Sequence, residues 1–89
     1  MNDYFSGIDK DEDPFKRALY IQGVVCGAGF DWADHEGVLL KIVEETEEIR
    51  AELDAGCEAG VENEVGDLIF SVLNLCRRLS ADPAECLEK

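Results

Sequence analysis

The residues best placed to do chemistry in this sequence are two acidic pairs, Glu45 with Glu48 and Glu64 with Asp67. Each pair is spaced by three, which sets both side chains on one face of an α-helix. Carboxylate oxygens are hard ligands that suit magnesium, with manganese as the alternative, and carboxylate plus substrate phosphate is the usual magnesium arrangement. A solvated surface explains the second pair poorly. Around it, Val61, Val65, Leu68, Val72, Leu75 and Leu79 form one helical stripe, which Ile69, Phe70, Leu73 and Cys76 widen. A helix apolar on nearly all sides is expected to be buried. It keeps one narrow polar line of Glu64, Asp67, Ser71, Asn74 and Arg78. An unpaired buried charge is very costly. With 21 acidic residues against 8 Lys and Arg, a bound cation is the economical partner.

The first pair sits at the edge of a similar stripe, made by Val38, Ile42, Ile49 and Leu53 and widened by Leu39 and Val43. Beside it run Lys41, Glu45, Glu48 and Glu52. Glu44, Glu47 and Glu52 are expected on a solvated face, and Lys41 has the spacing of an ordinary i,i+4 ion pair with Glu45. If the two segments pack antiparallel through their apolar stripes, all four carboxylates of the two pairs converge.

The elements that must position them are helices. Residues 1–12 read as a flexible acidic tail and residues 13–89 as a single domain, since a chain of 89 residues makes one domain at most. Asp13-Pro14 is a cap followed by proline at the first helical position, and a first helix follows through Phe15, Leu19, Val25 and Cys26 until Gly27 and Gly29 end it. A second is expected from about Glu36 to Ala55, capped by Asp34 and stopped by Gly56. A third starts after Gly60 and reaches about Leu79. Asp82-Pro83-Ala84-Glu85 opens a short fourth. No strand or internal repeat is legible, so the fold class is all-α. So small a domain leaves apolar helix faces uncovered unless a second copy meets them, which predicts a homodimer or higher homo-oligomer.

Composition narrows the partners. A formal net charge of −13 repels phosphate backbones, which argues against nucleic acid. An anionic substrate binds such a chain only where metal ions reverse the local field. The four cysteines lack C-x-x-C spacing and the lone His35 gives zinc no partner ligand. The first residues do not form a secretory signal, and no apolar run approaches a membrane span. The expectation is a cytoplasmic protein with free thiols and no membrane contact.

Taken together, Gly29-Phe30-Asp31-Trp32, Lys41-Ile42-Val43-Glu44-Glu45-Thr46-Glu47-Glu48, Glu64-Val65-Gly66-Asp67-Leu68-Ile69-Phe70 and Asn74-Leu75-Cys76-Arg77 resemble the MazG family of nucleoside triphosphate pyrophosphohydrolases. The pattern is E-E-x-x-E followed by E-x-x-D, and it covers roughly Pro14 to Pro83. The resemblance implies an antiparallel helical bundle of the MazG type, completed by dimerisation. It implies cleavage of an NTP or dNTP to the monophosphate and pyrophosphate, with magnesium on Glu45, Glu48, Glu64 and Asp67. A spare carboxylate, Glu44 or Glu45, would take the proton of the attacking water. Lys41, Asn74 and Arg78 become candidates for contact with the nucleotide. Trp32 is a candidate to stack on its base, although aromatics beside a helix start more often join a core. Two other readings compete: a MazG-like module that binds nucleotide or metal in a regulatory role with little turnover, and a structural acidic protein whose apolar faces bind a partner helix.

Overall fold

The computed structural model describes residues 13–29, 31 and 33–89. The acidic tail and the proposed stacking residue Trp32 lie outside the described residues. Four helices follow one another: α1 (Pro14–Gly27), α2 (His35–Ala55), α3 (Glu58–Arg78) and α4 (Pro83–Glu88). No strand occurs among the described residues, and the all-α expectation holds.

Three of the four starts are capped by aspartate. The Asp13 carboxylate accepts from the Phe15 N–H at 2.8 Å, Asp34 from Glu36 and Gly37, and Asp82 from Ala84 and Glu85. Each satisfies backbone donors that have no partner inside the helix. The α3 start differs from expectation, for the helix begins at Glu58 instead of after Gly60. The Cys57 thiol accepts from the Gly60 N–H at 3.3 Å. Sulfur is a weak acceptor outside the usual capping set, so sequence patterning passed over it.

Gly56 takes the left-handed conformation at φ 72°, and its neighbour Cys57 donates to the Glu52 carbonyl. That closes α2 and leaves two residues, Gly56 and Cys57, before α3 begins. So short a connection makes α2 and α3 antiparallel neighbours. At the far end of α3, Ser80 adopts φ 54° and Ala81 donates to the Cys76 carbonyl at 2.9 Å. This is a left-handed helix stop without glycine.

The α2–α3 hairpin is the most extensively packed pair, and α1 lies against α3. Val38 and Leu73 are the buried apolar residues among those described. The expectation that α3 is sealed all round is corrected here: Val65, Ile69, Phe70 and Val72 stay 39–43% exposed. Among the described residues, only α1 and α2 cover it substantially, and two neighbours do not surround a helix. On α2, Leu40, Val43 and Leu53 are exposed as well.

Candidate functional site

Antiparallel pairing brings Glu45 and Glu48 of α2 beside Glu64 of α3. One carboxylate oxygen from each of the three lies within 4.8 Å of the others. Glu45 is only 2% exposed, and Glu48 and Glu64 are half-buried. One turn earlier on α2, Lys41 reaches Glu45 Oε1 at 3.0 Å and Glu44 at 3.8 Å. Among the described residues, Lys41 is the one cation ion-paired to these three carboxylates.

Two oxygens show the shortage directly. Glu45 Oε2 and Glu64 Oε2 are buried with no hydrogen-bond donor. Buried acceptors in native proteins are normally paired. A proton is one remedy: sharing hydrogen bonds with Glu48 and Glu45, together with burial, pushes Glu64 up to about 7. Glu45 goes the other way, because the Lys41 ammonium bonded to it stabilises the ionised form. The same contact raises Lys41. Opposite shifts in adjacent acids leave one of them ready to exchange its proton for another cation near neutral pH.

The donor set fits a hard divalent ion. Oxygens around one magnesium, at about 2.0–2.1 Å each, stand within about 4.2 Å of one another, and calcium-like bonds of about 2.3–2.6 Å widen that span. The observed 4.8 Å spread therefore needs only small side-chain adjustment.

Asp67 does not join the close trio. It is exposed and borders a cavity of ≈ 270 Å³ shared with Lys41, Glu45, Phe70 and Ser71. Three residues turn a helix by about 300°, so Asp67 stands one turn along from Glu64 and rotated toward solvent. Instead of four carboxylates converging, three cluster and the fourth stands at the neighbouring cavity. Glu44 and Glu47 are exposed, as expected, whereas Glu52 is partly covered.

The other candidates lie further along α3. Asn74 Oδ1 accepts from Arg77 Nε at 3.1 Å and from Arg77 Nη2 at 2.9 Å. Arg77 and Arg78 also clamp Asp31, at 2.8 and 2.9 Å. Sequence reasoning assigned Arg78 to substrate and gave Asp31 no role; 46 residues separate Asp31 from Arg77, and no local periodicity links such positions. Gln22 was also passed over. It is buried, and its Nε2 donates to the Phe70 carbonyl at 2.7 Å. The available signal was its register, four residues from both Ala18 and Cys26, on the apolar face of α1.

Comparison with known proteins gives the chain a family. The sequence model of one family, described as MazG nucleotide pyrophosphohydrolase domain, matches residues 33–84, the stretch that holds every clustered carboxylate. A protein of Thermotoga maritima named nucleoside triphosphate pyrophosphohydrolase/pyrophosphatase MazG is 45% identical over 72 residues, which is 81% of this chain and 27% of the relative. A nucleoside triphosphate pyrophosphohydrolase of Escherichia coli K12 is 36% identical over 75 residues, covering 82% of this chain and 28% of its own. The chain thus spans between a quarter and a third of the length of the curated relatives it matches.

Proposed function

Because the chain belongs to the MazG nucleotide pyrophosphohydrolase family, we propose that it hydrolyses nucleoside triphosphates to the monophosphate and pyrophosphate, with Glu45, Glu48, Glu64 and Asp67 holding magnesium, or manganese in its place. The observation that carries this reading is the carboxylate trio within 4.8 Å, two of whose buried oxygens have no donor. The names of both relatives support the reaction class. A bound divalent ion would supply charge neutralisation of the triphosphate, polarisation of the phosphoryl group and acidification of a water.

The remaining tasks fall to the chain's own groups. Lys41 keeps Glu45 ionised and adds one positive charge at the wall of the cavity that Asp67 also borders. Glu45 is committed to Lys41 and the trio, which leaves the exposed Glu44 as the freer carboxylate to take a proton from water. Asn74 and Arg78, further along α3, are the candidates for contact with the rest of the nucleotide.

We also read the chain as a homodimer. Exposed Leu40, Val43, Val65, Ile69 and Val72 on α2 and α3 support that, since scattered apolar residues are ordinary but two adjacent helices rich in them favour a second copy. A cytoplasmic setting fits four free thiols, and no described helix is long and apolar enough to cross a membrane. The test is product analysis with magnesium and a panel of NTPs and dNTPs. Pyrophosphate and monophosphate should appear, and should be lost in Glu45→Ala and Asp67→Ala. Release of orthophosphate instead of pyrophosphate would contradict the reaction type.

A further inference from the structure

Of the polar line along α3, Ser71 is the member that the hydrolase reading leaves idle. The residue is 8% exposed. It forms part of the wall of the ≈ 270 Å³ cavity shared with Lys41, Glu45, Asp67 and Phe70. A serine or threonine inside a helix can spend its hydroxyl on the carbonyl one turn back. Thr46 does so, donating to the Ile42 carbonyl at 2.8 Å. Among the described residues, none receives a hydrogen bond from the Ser71 hydroxyl. Buried polar groups in native proteins are normally bonded, so this donor has a place for an acceptor from outside the chain.

The walls of the cavity sort by chemistry. α2 contributes Lys41 and Glu45, four residues apart; α3 contributes Asp67 and Ser71, also four apart and so on one face. Each helix thus supplies one carboxylate and one donor. The carboxylates take a cation, and the donors take an oxygen. Lys41 is not exhausted by its ion pairs. An ammonium carries three hydrogens, Glu45 takes one at 3.0 Å, and Glu44 at 3.8 Å lies beyond hydrogen-bond reach.

An ionised phosphate oxygen accepts and does not donate, so it fits between Lys41 and Ser71 while its metal partner sits on the carboxylate side. Phosphate alone would be repelled by the surrounding acids, and only a metal-bound phosphate matches both halves of the wall. Drug-sized ligands occupy pockets of about 300–1,000 Å³. A cavity of ≈ 270 Å³ therefore suits a phosphate group and not a whole nucleotide.

We infer that the Ser71 hydroxyl donates a hydrogen bond to a phosphate oxygen of the metal-bound substrate, beside Lys41. The inference deepens the hydrolase reading above and rests on it. It makes Ser71 a contact to substrate and leaves the metal to the carboxylates.

The probe is the preformed magnesium complex of inorganic tripolyphosphate, titrated calorimetrically into the wild type and Ser71→Ala. Manganese binding is measured separately, by the paramagnetic resonance of the free ion. Losing a hydrogen bond to a charged acceptor should weaken the tripolyphosphate complex about 10-fold in Ser71→Ala. Manganese affinity should match the wild type. Equal tripolyphosphate affinity in the two proteins would overturn the contact. So would a parallel loss of manganese, which would make Ser71 a support for the metal ligands instead. A wild-type chain that fails to bind the tripolyphosphate complex at all would contradict the hydrolase reading, and the contact with it. Should Ser71→Ala not fold, Ser71→Cys replaces it. A thiol is only a weak donor, so the same loss is expected, and wild-type affinity would refute the assignment.

Discussion

α3 carries a polar cluster near each end, and the two are built on opposite principles. Near its C-terminus, Arg77 and Arg78 meet Asp31, and Arg77 also holds Asn74, so the charges there face partners at 2.8–3.1 Å. Near its N-terminus, Glu64 meets Glu45 and Glu48, and the nearest cation, Lys41, bonds only Glu45 in that trio. One cluster pairs opposite charges within the chain; the other gathers like charges, with two buried carboxylate oxygens that have no donor. Arrangements of the first kind hold a loop in place. The second is favourable only when something from outside completes it, which is why the carboxylate end is assigned the chemistry.

The largest expected effect follows from removing the acidic cluster's ligands. Glu48→Ala and Glu64→Ala should each lower magnesium-dependent pyrophosphate release by about 1,000-fold, since metal assistance is worth several kcal/mol and each factor of ten in rate is about 1.4. Steady-state assays with purified variants check this, and retention of more than a tenth of the activity would remove the cluster from the mechanism.

Next comes stability. Magnesium at about 100 times its Kd should stabilise the fold by about 2.7 kcal/mol, which for a domain of this size raises Tm by roughly 10 °C or more. The shift should vanish in Glu64→Ala. It should persist in Asp31→Ala, whose lesion lies in the paired cluster.

A smaller effect concerns pH without metal. Glu64 sits at about 7 in the folded chain against 4.5 as the ordinary value. Between those limits the folded state keeps a proton that the unfolded state has released, so stability should fall as pH rises from about 4.5 to 7 and level off above. Glu45, held low by Lys41, acts oppositely and only below the ordinary carboxylate range. Thermal melts across this range should show the decline in the wild type and a flatter profile in Glu64→Gln.

The smallest effect belongs to the paired end. Asp31→Ala removes two partly exposed ion pairs and should cost about 1 kcal/mol, at the upper end for such pairs. Chemical denaturation measures it; a loss of several kcal/mol would mean that this corner is as strained as the carboxylate end.

Much of this contrast was legible in the sequence, for reasons that depend on locality. The acidic i,i+3 pairs, the Lys41–Glu45 spacing and the Asp13, Asp34 and Asp82 caps are all set within one or two turns, and helical periodicity exposes them. The hairpin was legible too, because Gly56 marks its turn. The Cys57 cap was hidden because a thiol rarely plays that part. The outward rotation of Asp67 depends on how α2 and α3 face each other, which spacing along one helix does not determine. Asp31 and Gln22 act across 46 and 48 residues, on Arg77 and Phe70. No periodic pattern reports contacts of that range, and a glutamine on an apolar face looks like noise until its partner is seen.

Titration of metal-free protein with manganese, followed by the electron paramagnetic resonance of the free ion, tests the central claim most directly. The account predicts that the free-ion signal stays suppressed until at least one equivalent per chain has been added, and that Glu48→Ala with Glu64→Ala abolishes the suppression. A signal that grows in proportion from the first addition to the wild-type chain would contradict it.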